Sequence, residues 1–192
     1  LRTRGVDVES ARSSFQQVRD KMAAWDETTA EDAWKTAYFQ VRRATREIAL
    51  DNPLLDFDQI VFVKRAPTMF PHVSDQFYGW WARPGGGIYC LEGFTGDRPR
   101  LRCLTGSWPA GNFLRPDLSY DAGKVLFAFS RYDAEIADQK NKRDKRNVPE
   151  SVFYHLFELD LRTGDVRQVT DGKYDDMDGR YLPTGEVLFL ST

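Results

Sequence analysis

Between residues 7 and 25 the apolar positions Val8, Ala11, Phe15, Val18, Met22 and Trp25 recur at steps of three and four, which predicts an amphipathic helix with one buried stripe. A second helix follows at once. Trp34, Ala37, Tyr38, Val41 and Ile48 form its stripe, Asn52-Pro53 ends it, and Thr28 with Glu31 three residues on has the pattern of a capping box. So short a connection makes the pair antiparallel, giving an N-terminal helical hairpin over residues 1–52. Aromatic residues at helical spacing are expected to pack, and Arg42, Arg43 and Arg46 to form a solvated face.

After Pro53 the period changes to that of strands. Short β-branched and aromatic runs stand between Gly, Pro and Asp turns, with strands predicted at 59–65, 87–91, 101–105, 124–130, 154–161, 166–170 and 186–190. No helical pattern intervenes, so residues 53–192 are expected to be hairpins of antiparallel sheet.

This half of the chain also repeats itself. SYDAGKVLFAFS at 119–130 matches YLPTGEVLFLS at 181–191, and IYCLEGFTGDRPRLRCLTG at 88–106 matches LFELDLRTGDVRQVTDG at 156–172. Each match in the second pair is a strand, a Thr-Gly-Asp turn and a returning strand. DFDQIVFVKR at 56–65 is a third version of the VLF strand. Gly123 and Gly185 stand 62 residues apart, and 44 once the strand-poor stretch 133–150 is set aside, which falls within the ~40–45 residues of a four-stranded propeller blade. A small twisted sheet cannot cover both its faces alone, so such units stack around an axis, and closure needs at least about four. The prediction is a mainly β chain holding a partial β-propeller of two to three antiparallel blades, preceded by the helical hairpin. A compact sandwich with accidental repeats is the alternative.

RPDLSYDAGKVLFAFS and DDMDGRYLPTGEVLFLST resemble the repeat of TolB-type propellers. More closely, NPLLDFDQIVFVKR, HVSDQFYGWWARPGGGIYCL and FLRPDLSYDAGKVLFAFS resemble the propeller family named after the middle domain of the hydrazine synthase alpha subunit, over about residues 50–192. The resemblance implies a TolB-like propeller in a large, extracytoplasmic (periplasmic) bacterial protein. It is expected to act as a scaffold that binds a protein or small ligand, completed by further blades beyond residue 192. The alternative is a channel-lining part of a multidomain enzyme, either haem-containing or a propeller-gated peptidase. The c-type haems of the naming enzyme need Cys-x-x-Cys-His, which neither Cys90 nor Cys103 provides, so no cofactor is expected in this segment. Fold does not carry activity with it, and no catalytic residue is assigned.

Composition narrows the partners. The 29 acidic and 27 basic side chains leave a net charge of −2, with no surplus for a phosphate backbone, and no run approaches the roughly 20 apolar residues of a membrane helix. Neither a nucleic-acid partner nor membrane insertion is expected. The basic run Lys140, Lys142, Arg143, Lys145 and Arg146 lacks aromatic partners and is taken as a solvated insertion. The absence of an initial Met and the strand-like ending LFLST suggest a piece of a longer protein. Cys90 and Cys103 flank a hairpin and are either two buried thiols or a disulfide, as the register allows.

The segment from Phe70 to Arg83 gathers the most unusual chemistry. His72, Asp75, Tyr78, Trp80 and Arg83 are the candidate ligand-binding residues, with Ser74 beside them, against an alternative in which the aromatics plug a channel or blade interface. No hydrolytic triad is expected there, because the Gly-x-Ser-x-Gly elbow is missing. No metal is assigned. Asp175, Asp176 and Asp178 are a weak calcium candidate, since the glutamate a calcium loop requires is missing, and turn-fixing is the preferred role.

Overall fold

The computed structural model describes residues 8–26, 28–52, 54–66, 84–96, 98–141 and 144–192. The chain divides into two compact units, Leu1–Asp58 and Gln59–Thr192.

In the first unit α1 (Glu9–Met22) packs on α2 (Glu31–Leu50) along a seam of small residues, with Ala11, Val18, Ala37 and Ala44 buried. Alanines at a helical seam let two backbones approach closely, which leaves the larger side chains of α2 off the contact. That corrects the expectation that the aromatics pack: Trp25 and Trp34 meet edge to face at 4.8 Å, yet Trp34, Tyr38 and Phe39 are exposed, Tyr38 by 58%. The capping box does not form either. Thr28 donates its hydroxyl to Asp26 Oδ1 at 2.7 Å and Asp26 also accepts from the Thr28 amide, so the carboxylate takes the threonine for a turn before α2 begins. Among the described residues no helix is long and apolar enough to cross a membrane.

The second unit is mainly β, and its described residues form nine strands in three antiparallel sheets. The first sheet has the order β1 (Gln59–Arg65), β2 (Gly86–Glu92), β3 (Arg100–Cys103). The second is a four-stranded meander of β4 (Gly111–Leu118), β5 (Lys124–Arg131), β6 (His155–Asp160) and β7 (Val166–Gln168). The third pairs β8 (Asp176–Tyr181) with β9 (Val187–Ser191). Among the described residues the sheets do not close on one another.

The middle sheet is covered on both faces. One face meets the first sheet through Phe113, Phe127 and Phe129, which pack with Ile88 of β2 and with the half-buried Val61 and Val63 of β1. Trp108 stands over this cluster, its ring 4.9 Å from Phe129 and 5.1 Å from Phe157. The other face meets the third sheet through Leu114, Leu126, Ala128, Tyr154 and Leu156, packed on Met177. Residues buried on both sides of one strand explain why VLFAF shows no polar alternation.

β4 and β8 escape the sequence pattern, and for the same reason. Each carries a bulge, between Leu114 and Asp117 and between Met177 and Arg180, with a left-handed residue at its first position (Arg115 φ 31°, Asp178 φ 57°). A bulge shifts the two-residue period and so erases the alternation by which a strand is recognised. The matched bulges place Asp178 where Arg115 stands and Arg180 where Asp117 stands. The two sheets agree further: β1 and β2 lie against β4 as β5 and β6 lie against β8. The insertion 133–150 is anchored as well as solvated, since α3 (Ala134–Ala137) brings Ile136 onto the buried cluster of Val148, Val152 and Phe153.

Candidate functional site

His72, Asp75, Tyr78, Trp80 and Arg83 lie outside the described residues. The three aspartates proposed for calcium are described, and they point to different tasks. Asp175 is fully buried and accepts the Tyr154 amide at 3.0 Å, tying the start of β6 to the third sheet. Asp176 lies 3.9 Å from the ring of His155, and Asp178 accepts from Arg115 at 2.7 Å. Among the described residues no three His, Cys, Asp or Glu side chains converge as a metal site would require.

A cavity of about 310 Å³ opens at the end of the middle sheet. Strand alternation builds it. Phe129 and Arg131 are two apart on β5, His155 and Phe157 two apart on β6, Phe129 faces His155 across the ladder, and Phe157 faces Gln168 of β7. The short 3-10 turn Glu150–Val152 closes one side with Glu150 and Ser151. The result is an apolar floor of two phenyl rings with a guanidinium, a carboxylate, an amide and a hydroxyl around it.

The hydrogen bonds of His155 limit its chemistry. Its Nε2 is 3.1 Å from the Glu150 carbonyl oxygen, which only accepts, so this nitrogen carries the proton. Nδ1 faces the Asp176 carboxylate at 3.9 Å and has no hydrogen-bond partner among the described residues. Both nitrogens are thereby turned toward the protein, and the imidazole serves the cavity wall as a ring. One oxygen of the Glu150 carboxylate, Oε1, accepts the Gly172 amide at 2.8 Å. The arrangement suits a bound planar or apolar group whose anionic end meets Arg131.

A second polar cluster joins the middle and third sheets. Glu158, on β6, accepts from Lys124 at 3.0 Å, Arg167 at 3.2 Å and the Tyr181 hydroxyl at 2.8 Å. Burial by itself would raise its pKa, but the hydrogen bonds of Tyr181 and Lys124 and the charges of Lys124 and Arg167 outweigh it and hold the carboxyl below its ordinary value. Tyr181 is pushed up, first by burial and then by the hydrogen bond to Glu158. Nearby, Arg115 meets Asp178 at 2.7 Å while Arg180 reaches Asp117 at 3.8 Å, a reciprocal exchange of charges between the bulges.

The cysteines do not pair. Cys90 stands opposite Arg102 and Cys103 opposite Tyr89, so their side chains leave opposite faces of the first sheet, and both are free thiols. Burial raises the Cys90 thiol pKa. Of the cavity residues, His155 was visible in the sequence only as the second residue of a predicted strand, and Arg131 as the charge that follows VLFAFS. Glu150 ends an insertion with no strand or helix period, and Ser151 follows it in the short 3-10 turn. No protein-family model matches the chain, and no curated protein matches it.

Proposed function

We propose that residues 59–192 are an arc of a TolB-like β-propeller, of the hydrazine synthase alpha middle-domain kind, and that the arc is a binding scaffold in an extracytoplasmic bacterial protein. The observation that carries this is the equivalence of the second and third sheets. Both begin with a bulged strand, a tight turn and a VLF strand, and each packs its first strand on the VLF-type strand and its neighbour in the sheet before it, β4 on β1 and β2 as β8 on β5 and β6. The repeat spacing and the resemblance support the same reading. Further blades are required to complete it, since about four are the fewest that close.

The ligand place favoured by the geometry is the cavity over Phe129 and Phe157, with Arg131 holding the anionic end of an aromatic carboxylate. No catalysis is assigned to these residues. Titration calorimetry with 3-phenylpropionate tests the site. The wild-type chain is expected to bind, and Arg131→Ala to bind at least about tenfold more weakly. An unchanged affinity in Arg131→Ala, or no binding by the wild type, overturns the assignment. The propeller itself is tested by spin-label distances between matched turns, Gly96 with Gly164 and Tyr120 with Pro183. One common rotation must relate both pairs, and two unrelated rotations refute it.

A further inference from the structure

The strands β5 and β9 carry nearly the same residues in matched positions but differ in what covers them. Register places Val125 with Val187, Leu126 with Leu188 and Ala128 with Leu190, because Leu118 pairs with Val125 as Tyr181 does with Val187, and Leu114 with Ala128 as Met177 with Leu190. The turns agree: Ser119 donates its amide to the Lys124 carbonyl as Leu182 does to that of Glu186, which makes Glu186 the counterpart of Lys124. Leu126 is 0% exposed, while Leu188 and Leu190 are 64% and 60% exposed.

β5 owes part of its cover to β6, which pairs along its second edge from Lys124 opposite Asp160 to Phe129 opposite His155. β9 pairs with β8 on one side and with no described strand on the other. It also has none of the features that blunt an exposed edge: Val187–Ser191 contains no charge, no proline and no bulge. The internal repeat therefore states what belongs there, namely an antiparallel hairpin like β6–β7.

The charges then alter its sequence. On β5 the Lys124 ammonium reaches diagonally across the pair to Glu158 at 3.0 Å. At the matching place, immediately before β9, stands Glu186, a carboxylate, so an exact copy of β6 would set glutamate against glutamate. We infer that the free edge of β9 is a docking site for a β-hairpin of the β6–β7 kind whose first strand carries Lys or Arg in place of Glu158. This rests on the equivalence of the sheets argued above and adds the chemistry of the partner strand.

Two peptides of residues 153–170 test it, one native and one with Glu158→Lys, each added to the whole chain. Fluorescence anisotropy reads affinity, and amide exchange reads protection of residues 188–191. The lysine peptide is expected to bind at least about tenfold more tightly than the native one and to slow exchange at those amides about tenfold. Leu188→Lys, at an exposed position that leaves the fold intact, is expected to abolish both effects. Equal or reversed affinities, binding that survives Leu188→Lys, or occupation of the edge by a second copy of the chain each overturns the inference. Failure to bind either peptide does so too. If the matched-turn distances still obey one rotation in that case, the blade reading stands and only the partner's chemistry falls.

Discussion

Replacing Glu158 by alanine removes one acceptor from three donors on three strands, and the consequences differ for each donor. The Tyr181 hydroxyl is half-buried and bonded to a charged group, an interaction worth about 1.5–3 kcal/mol. Lys124 and Arg167 are 45% and 70% exposed at the side chain and regain water when the carboxylate leaves, so each pair is worth about 0.2–1 kcal/mol. Together these give a loss of about 3 kcal/mol, or about 10 °C in Tm for a unit of this size. Glu158→Gln keeps an acceptor for Tyr181 and is expected to lose about a third as much. The pH dependence has a definite sign. The folded pKa lies below the ordinary 4.5, so the stabilisation is fully present above about pH 5 and is lost as pH falls through the folded value. Thermal melts of wild type, Glu158→Ala and Glu158→Gln from pH 7 to pH 3 decide it. A deficit under about 3 °C at pH 7, or one that does not shrink toward pH 3, refutes the argument.

Matched substitutions at Leu126 and Leu188 test the difference in burial directly. Leu126→Ala is expected to cost about 2–5 kcal/mol by leaving a cavity between the middle and third sheets, and Leu188→Ala less than about 0.5 kcal/mol, both measured by urea unfolding. A double-mutant cycle on Arg115→Ala and Asp178→Ala is expected to give a coupling of about 0.2–1 kcal/mol that falls as salt rises from 0.05 to 0.5 M, on the order of magnitude set by surface pairs. A coupling independent of salt would show that the bulges are held together by something other than this ion pair.

How far the sequence could be followed depended on whether neighbouring residues along the chain decide the matter. The strand 59–65 is legible residue for residue because QIVFVKR has β-branched density and clear flanks, and α2 ends where Asn52-Pro53 says it must. β4 and β8 were illegible. Pro116, Asp117, Asp176 and Gly179 all disfavour strands, and only packing against the neighbouring sheets makes those bulged segments extended. The candidate cavity was illegible for a similar reason: Arg131, His155 and Gln168 belong to three strands, and a ladder register brings them together.

The sequence by itself determined the helical hairpin, the antiparallel β character of residues 59–192 and the repeat that relates β5 to β9, because periodicity and turn residues act over a few positions. Only the tertiary structure decided that the alanines rather than the aromatics form the helical seam, that Cys90 and Cys103 face apart, and that one VLF strand is buried while its twin is bare. Those outcomes depend on which surfaces meet across distances that local sequence does not encode. Burial is a property of the pair of surfaces and never of one strand alone.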